Sequence, residues 1–389
     1  MTGTIYLDHA ATTPLDPRVR EAMLPWLGGQ WGNPSSLHAW GRAARAAVDG
    51  VRERVAAWLG ARPAEIVFTS GGSEADSLAL LGTAAARASR GRHLLTTPIE
   101  HHAVLTAAER LAEDGFEVEY LAVDGDGRVD PAELAARLRP ETILVSVQAA
   151  NNEIGTLQPI AELGAVCAAA RVPLHVDAVQ SLVEWRHDVR AEGISLLAGS
   201  AHKLYGPQGV GFLYVRTGLR PRPQILGGPQ ERGRRAGTEN VAGIVGLGAA
   251  IQLLEAEIEA RRAHCLTLRE RLLAGLLALP GSHLNGPREG RLANNVNVSF
   301  DHVNGEGLLI SLDQQGIAAS TGSACSSGST DPSHVLLALG GDRDIAHGSL
   351  RLTLGQSNTE AHVDRAVAAV AEALEQLRGL DPTGRAATV

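Results

Sequence analysis

Cysteine is scarce in this 389-residue chain, which contains only Cys167, Cys265 and Cys325. An odd number of cysteines without a C-x-x-C pair excludes a disulfide framework and argues against a zinc site. Free thiols persist in a reducing compartment, so we expect a cytoplasmic protein without a structural metal. Cys167 and Cys265 lie in helical patterns and are expected to be structural, as buried free cysteines usually are.

The chain also lacks an excess of positive charge and long apolar runs. It has 35 Lys and Arg against 43 Asp and Glu, a net charge of −8, which argues against nucleic acid or an anionic membrane as a direct partner. No apolar run approaches the roughly 20 residues of a transmembrane helix. The opening "MTGTIYLDHAATTP" shows no basic start and apolar stretch, so we expect no signal peptide.

Short apolar runs alternate with helical patterns from residue 64 onward. "EIVFTS" (65–70) predicts a strand, and "SEADSLALLGTAAARASR" (73–90) predicts a helix with Ser73 as its N-cap. Further on, "ISLLAGSAHKLYGPQGVGFLYV" (194–215) reads as two strands around a Gly/Pro turn. Repeated β-α-β units predict an α/β fold in which helices flank a mostly parallel sheet on both faces.

The pattern changes after residue 240. A long helical stretch follows that is expected to bend, because it exceeds the length of an ordinary helix. The remaining segments predict a smaller α+β unit. We therefore predict a large domain over residues 16–254 and a small domain formed by residues 1–15 and 255–389, which carries Cys325.

Candidate site residues follow the predicted strands, where working residues gather in open parallel sheets. Gly72 and Ser73 in "FTSGGSEA" open a helix, which predicts either an ordinary capped turn or a phosphate seat; alone, the turn is favoured. His101 follows the next strand. It is either a surface or capping residue or an imidazole that stacks on an aromatic cofactor or moves protons.

Two further strand ends carry charged residues. Asp177 in "LHVDAVQ" is either a strand-end cap or the counter-ion of a bound cation. Lys203 in "GSAHKLYG" is either a surface charge or an amine able to form a Schiff base. Ser200 and Lys203 also match the S-x-x-K motif of acyl-enzymes, but its S-D-N and K-T-G partners are absent. A phosphate seat, an imidazole, a carboxylate and a reactive lysine together suit pyridoxal 5'-phosphate.

At this point the sequence resembles the cysteine desulfurase family, class V aminotransferase-like enzymes of pyridoxal-phosphate fold type I. The similarity covers almost the whole chain in ordered motifs. These are "YLDHAATTP", "GNPSSLHAWGRAAR", "FTSGGSEADSLAL", "EHHAVL", "NNEIGTLQPI", "HVDAVQ", "AHKLYGPQGVGFLYV", "GGPQERGRRAGTEN" and "STGSACSSG".

The resemblance implies a role for each matching residue. Lys203 resembles the Schiff-base lysine, His101 the residue that stacks on the cofactor ring, and Asp177 the partner of the pyridinium nitrogen. The other implied cofactor contacts are Gln180 and Asn152 at the ring oxygen and substrate side, and Gly72, Ser73, Ser200 and His202 at the phosphate.

Two implied roles concern the substrate and a second subunit. Arg351 in "SLRLTLG" resembles the arginine whose planar fork holds the substrate carboxylate. Thr238 in "GTEN" resembles a residue that reaches the phosphate of the other subunit, which implies a homodimer. His9, Asp76 and Gln208 depart from the residues common in the family, and none has an implied chemical role.

Cys325 lies in "ASTGSACSSGST" (319–330), a composition typical of a flexible linker. The resemblance, here to the long-loop group, implies that its thiolate takes the sulfur of L-cysteine as a persulfide and leaves L-alanine. Iron–sulfur scaffold proteins or tRNA-thiolation proteins are the implied acceptors. A selenocysteine lyase, an aminotransferase of the same fold and a non-catalytic paralogue stay open as alternatives.

Overall fold

The computed structural model describes residues 4–321 and 332–380, so Cys325 lies outside the described residues. The strands are β1 (Ile5–Tyr6), β2 (Ile66–Thr69), β3 (His93–Thr96), β4 (Glu117–Tyr120), β5 (Thr142–Ser146), β6 (Leu174–Asp177), β7 (Leu196–Ser200), β8 (Gly211–Val215), β9 (Ser282–Leu284), β10 (Asn295–Phe300), β11 (Ile317–Ala318) and β12 (Ser349–Thr353). The helices are α1 (Pro17–Gly28), α2 (Ala39–Trp58), α3 (Gly72–Arg87), α4 (His102–Glu113), α5 (Pro131–Arg137), α6 (Ile160–Ala170), α7 (Gln230–Gly233), α8 (Val241–Leu277), α9 (Gly305–Gln314), α10 (His334–Ala338), α11 (Arg343–His347) and α12 (Glu360–Leu380).

A seven-stranded sheet in the order β2-β8-β7-β6-β5-β3-β4 forms the centre of the larger unit. Only β8 among these strands runs antiparallel to its neighbours, which confirms the predicted mostly parallel α/β sheet. Ile66 and Phe68 pack in one apolar core, while Val67 between them packs in another. Because successive side chains of a strand point to opposite faces, this alternation shows that both faces are covered.

The C-terminal part of the chain forms a second unit around an antiparallel sheet of β12, β10 and β9. β1 runs parallel to β11, and Leu7 joins the apolar core of this unit together with Val298 and Leu352. The first described residues therefore pack on the smaller unit.

α8 forms one uninterrupted helix of 37 residues, so the expected bend does not divide it. Its first half packs Leu247 and Leu254 into the sheet core, and its second half packs Leu268 and Leu272 into the other core. Burial at both ends holds the long helix together, since tertiary packing provides most helix stability. We propose that the boundary between the two domains crosses this helix near residue 255.

Among residues 4–321 and 332–380, α8 is the one helix whose length and apolar composition would suffice to cross a membrane. The sequence reading found no such segment. Because its apolar residues divide between two protein cores, it has the packing of a core helix, and we draw no membrane assignment from it.

The expected N-cap of α3 is wrong by two residues. The helix begins at Gly72 with Gly71 as its N-cap, so Ser73 lies inside the first turn. A Cβ on Gly72 would lie 2.7 Å from Val179 Cγ2, so only glycine allows the helix to start this close to the loop after β6. Glycine is an accepted N-cap residue, and the helix therefore needs no serine there.

Candidate active site

Several of the candidate residues meet at one edge of the large sheet. Asp177 is the last residue of β6, and Ser200 is the last residue of the neighbouring strand β7. A single 3-10 turn, Ala201–Lys203, follows Ser200 and ends at the lysine. Because β6 and β7 are parallel, their carboxyl ends place Asp177 and Lys203 at the same edge.

The N-terminal segment 10–13 holds Lys203 from the opposite side. Lys203 Nζ donates hydrogen bonds to the carbonyl oxygens of Ala10 and Ala11, the latter at 2.9 Å. Thr13 Oγ1 donates to the carbonyl of His202 at 2.8 Å and accepts from the backbone N–H of Tyr205 at 2.9 Å. The segment 10–13, which lies 189 to 193 positions before the residues that it contacts, thus forms one wall of the site.

Lys203 is the only lysine in the 389-residue sequence. The other residues among its 35 lysines and arginines are all arginine. Sequence reasoning missed this signal. A chain that uses arginine for every solvated positive charge, and lysine once, points to a function that needs an amine rather than a guanidinium. Lysine can lose its proton and attack a carbonyl, whereas arginine stays protonated.

Asp177 is buried, at 7% exposure, and its Oδ1 accepts a hydrogen bond from the N–H of Val179 at 2.9 Å. Burial raises the pKa of Asp177, while the positive charges of His101 and Lys203 act in the opposite direction. Burial lowers the pKa of His101, an effect that Lys203 reinforces and Asp177 opposes. The three residues thus form one electrostatically coupled group.

His101 is also the N-cap of α4. Its Nδ1 accepts a hydrogen bond from the N–H of Ala103 at 3.1 Å, so the capping role considered for it is present. The cap leaves the ring half-buried and fixed at the carboxyl edge of the sheet. The capping and the functional interpretations of this residue are therefore compatible.

A cavity of about 500 Å³ lies at the start of α3. Gly72 and Ser73 line it from the helix, and Ser200 and His202 line it from the end of β7. His202 Nδ1 lies 3.1 Å from Thr12 Oγ1, and burial lowers the pKa of His202 to about 4. Gly72, Ser73, Ser200 and His202, the residues with a predicted phosphate role within one subunit, therefore share one cavity at the start of a helix.

Arg351 lies in β12 of the smaller unit and reaches the larger one. Its Nη1 donates to the carbonyl of Asn152 at 3.1 Å, and its Nη2 lies 3.0 Å from Asp8 Oδ1. Its Nε is buried without a hydrogen-bond partner among the described residues. Gln180 Nε2 donates to the carbonyl of Ala10 at 3.1 Å, the same oxygen that accepts from Lys203.

Two predicted residues are not brought into this group. Thr238 is exposed on the loop before α8 and does not line the cavity at α3. Cys325 lies outside the described residues. The roles of both remain predictions.

The two described cysteines are poor nucleophiles. Cys167 and Cys265 are free and buried, and burial raises the pKa of each thiol to about 12. Because the thiolate is the reactive form, neither is ionised appreciably near neutral pH.

Similarity to known proteins shows the fold class to which this chain belongs. The model of the aminotransferase class-V family matches residues 5–366. A solved NifS-like protein superimposes with a TM-score of 0.91 at 39% identity, and covers 96% of this chain and 100% of its own. The chain is thus an α/β enzyme of the class-V aminotransferase fold, which confirms the predicted fold class.

The nearer relatives define the family within that class. A cysteine desulfurase IscS of Methanosarcina thermophila is 50% identical over 97% of this chain and 94% of its own length. A cysteine desulfurase IscS of Clostridium botulinum is 48% identical over 98% of this chain and 97% of its own. The structure of SspA in complex with cysteine aligns with a TM-score of 0.81 at 36% identity, over 92% of this chain. The chain belongs to the cysteine desulfurase family.

Proposed function

We propose that this protein is a pyridoxal-phosphate-dependent desulfurase that converts L-cysteine to L-alanine and transfers the sulfur to Cys325. The observation that carries the proposal is the placement of the only lysine, Lys203, at a strand end where it is electrostatically coupled to Asp177 and His101. The chain's family membership and its relatives, which are named cysteine desulfurases, point to the same reaction.

The residues present fit the cofactor. Gly72 leaves no room for a side chain beside Val179, and it lines the cavity at the start of α3, where the first N–H groups of the helix would bind a phosphate. Lys203 would hold the aldehyde carbon, and Asp177 would accept the proton of the ring nitrogen. His101 would cover the ring, and Ser73, Ser200 and His202 would complete the phosphate seat. When bound, the cofactor supplies an electron-withdrawing ring that stabilises negative charge on the substrate.

Arg351 and Asn152 would orient the substrate. The guanidinium is buried at 2% exposure, and its unpartnered Nε provides a donor beside Nη2 for a carboxylate. A planar fork with two parallel N–H donors matches a carboxylate better than a single ammonium does. The contact of Nη1 with the Asn152 carbonyl fixes the direction in which the fork points.

Cys325 would take the sulfur. Its thiolate forms an S–S bond with the substrate sulfur as the Cβ–S bond breaks, which leaves alanine and a persulfide on the enzyme. One thiol hydrogen ends on the alanine Cβ and the other on the persulfide, so the atoms balance. Burial disfavours the thiolates of Cys167 and Cys265, which supports Cys325 as the acceptor.

We also propose a homodimer in the cytoplasm, with Thr238 directed at the phosphate seat of the second subunit. Exposed Trp31, Leu37 and Leu226, at 73%, 90% and 80% exposure, are apolar side chains that a second subunit would cover. Free thiols suit a reducing compartment. Sedimentation of the holoenzyme tests the dimer, and a monomer at micromolar concentration would contradict it. Thr238→Val tests the assigned contact, with weakened cofactor binding expected.

The decisive experiment measures products and modification together. The purified yellow enzyme is incubated with L-cysteine, alanine and sulfide are quantified, and the Cys325 peptide is weighed by mass spectrometry. We expect equal amounts of alanine and transferred sulfur, and a gain of one sulfur atom on Cys325. Cys325→Ala should abolish both, whereas the matched controls Cys167→Ala and Cys265→Ala should retain the persulfide.

Each alternative gives a different result. A keto acid in place of alanine would indicate an aminotransferase, and turnover of selenocysteine but not cysteine would indicate a selenocysteine lyase. Borohydride reduction should attach the cofactor to Lys203, the only side-chain amine in the chain. A protein that takes up no cofactor, or a Cys325→Ala variant with the wild-type rate, would refute the proposal.

A further inference from the structure

A chain of buried polar groups lies behind Asp177, and the reaction described above does not use it. His175 precedes Asp177 by two residues on β6, so both side chains point to the same face of the sheet. His175 Nε2 lies 3.4 Å from Asp76 Oδ1 on α3, and its Nδ1 lies 2.9 Å from Ser146 Oγ. Asp76, His175 and Ser146 are at most 1% exposed.

Among the residues that the structure describes, no lysine or arginine forms an ion pair with Asp76. His175 cannot serve as a cation, because burial lowers the pKa of its ring to about 3. Burial raises the pKa of Asp76 well above its ordinary value, and the charges of Asp177 and Glu100 raise it further. Both Asp76 Oδ1 and His175 Nε2 are buried without a regular hydrogen bond to any described group, and each is the other's polar neighbour at 3.4 Å.

Three carboxyl groups share this buried region, and their surroundings differ. Asp177 interacts with Lys203, and with His101 whenever that ring is protonated, and both interactions favour its ionised form. Glu100 Oε1 accepts hydrogen bonds from Thr97 Oγ1 and the N–H of Gln148, at 2.7 and 3.0 Å. Burial nevertheless raises the pKa of Glu100 to about 8. Interacting carboxyl groups in a desolvated site disfavour each other's ionisation, and of the three Asp177 has the cationic neighbours that favour its charge.

We propose that Asp76 is a positioning residue that remains a neutral carboxylic acid, donates its O–H to His175 Nε2, and thereby leaves Asp177 as the single carboxylate facing the cofactor site. The imidazole then carries its hydrogen on Nδ1 and donates it to Ser146 Oγ. An ionised Asp76 would repel the charge on Asp177 and weaken its interaction with a protonated ring nitrogen. This inference rests on the proposed function through one point, the assignment of Asp177 to the cofactor.

The first test uses the wild-type holoenzyme without substrate. Selective ¹⁵N-histidine labelling and NMR spectroscopy report the tautomer of His175, which His175→Gln identifies by the signal it removes. We expect a neutral ring protonated on Nδ1 between pH 6 and 8. A ring protonated on Nε2, or a doubly protonated ring, would overturn the proposal.

The second test compares Asp76→Asn with the matched variant Glu100→Gln. The infrared spectrum of the wild type at pH 7 should show a carboxylic-acid carbonyl band that Asp76→Asn removes and Glu100→Gln leaves in place. The cofactor absorption should change at alkaline pH as Asp76 ionises. Because Glu100, with a pKa of about 8, also ionises there, the change should persist in Glu100→Gln and be absent from the double variant Asp76→Asn/Glu100→Gln. An infrared spectrum unaltered by Asp76→Asn would refute the neutral acid.

These readouts separate the inference from the proposed function. The NMR and infrared signals report the Asp76–His175 pair whether or not the enzyme turns over cysteine. A protein without desulfurase activity but with the Nδ1–H tautomer would refute only the function. An active enzyme with an ionised Asp76 would refute only the inference.

Discussion

Replacing Arg351 by lysine tests the substrate site most directly. The guanidinium donates two hydrogen bonds, to the Asn152 carbonyl at 3.1 Å and to Asp8 at 3.0 Å. Its Nε is buried and has no hydrogen-bond partner among the described residues. Lysine keeps the charge, but its single nitrogen cannot hold Asn152 and present two parallel N–H donors to a carboxylate at the same time.

The expected loss of kcat/KM follows from the removal of one charge-assisted hydrogen bond to the substrate carboxylate. Such bonds contribute about 1.5–3 kcal/mol in a buried site, and about 1.4 kcal/mol corresponds to a factor of ten. Arg351→Lys should therefore lower kcat/KM for L-cysteine by about 10- to 100-fold, mainly through KM. The cofactor absorption should stay that of the wild type, since the proposed cofactor contacts lie on other elements.

The assay is alanine formation at several cysteine concentrations, with cofactor content measured in the same samples. Arg271→Lys is the matched control, because Arg271 also makes a two-pronged ion pair, with Asp364, but at 47% exposure. Exposed pairs contribute little, so this variant should behave like the wild type. An Arg351→Lys enzyme with kcat/KM within twofold of wild type would refute the carboxylate role.

Three further predictions concern stability. Burial raises the pKa of Glu153 to about 7, so the folded state retains a proton that the unfolded chain releases above about pH 4.5. The free energy of unfolding should therefore fall as the pH rises toward 7. Glu153→Gln should flatten this decline in thermal unfolding, and an unchanged slope would contradict the prediction. Arg52→Ala breaks a buried ion pair with Glu231 at 2.7 Å and should lower the free energy of unfolding in denaturant by about 3–5 kcal/mol. Arg20→Ala, which breaks an exposed ion pair, should change it little, and equal effects of the two variants would contradict the burial argument. Gly164→Ala places a Cβ 1.9 Å from the Glu192 carbonyl oxygen and should lower the free energy of unfolding by about 1–3 kcal/mol. Gly50→Ala, whose Cβ lies in open space, should leave it unchanged, and a harmless Gly164→Ala would refute the predicted close contact.

Local patterns in the sequence predicted the elements that depend on nearest neighbours. The strand at Ile66–Thr69, the helix after it and the hairpin of β7 and β8 follow from apolar runs and from glycine and proline in the connections. The continuity of α8 did not follow, because it depends on two separate cores that bury its two ends. The start of α3 at Gly72 likewise depends on Val179, more than 100 residues away.

In the candidate site too, some features could be predicted from the sequence and others depend on the fold. Lys203, Asp177 and His101 were predicted because each follows a strand, and carboxyl ends of parallel strands meet at one edge. The contacts of Lys203 with Ala10 and Ala11 were not predicted, nor was the pair of Asp76 and His175. No local pattern encodes which distant backbone oxygen or carboxyl group a folded side chain will face.

By itself, the sequence determined the chemical inventory of this protein: a single amine at Lys203, one cysteine outside the helical patterns, and an order of motifs that placed it in its family. Those properties are covalent and survive unfolding. The tertiary structure alone decided which of the buried carboxyl groups faces positive charge and which does not. Charge states depend on burial and on neighbours brought together by folding, so the different surroundings of Asp177 and Asp76 exist only in the folded chain.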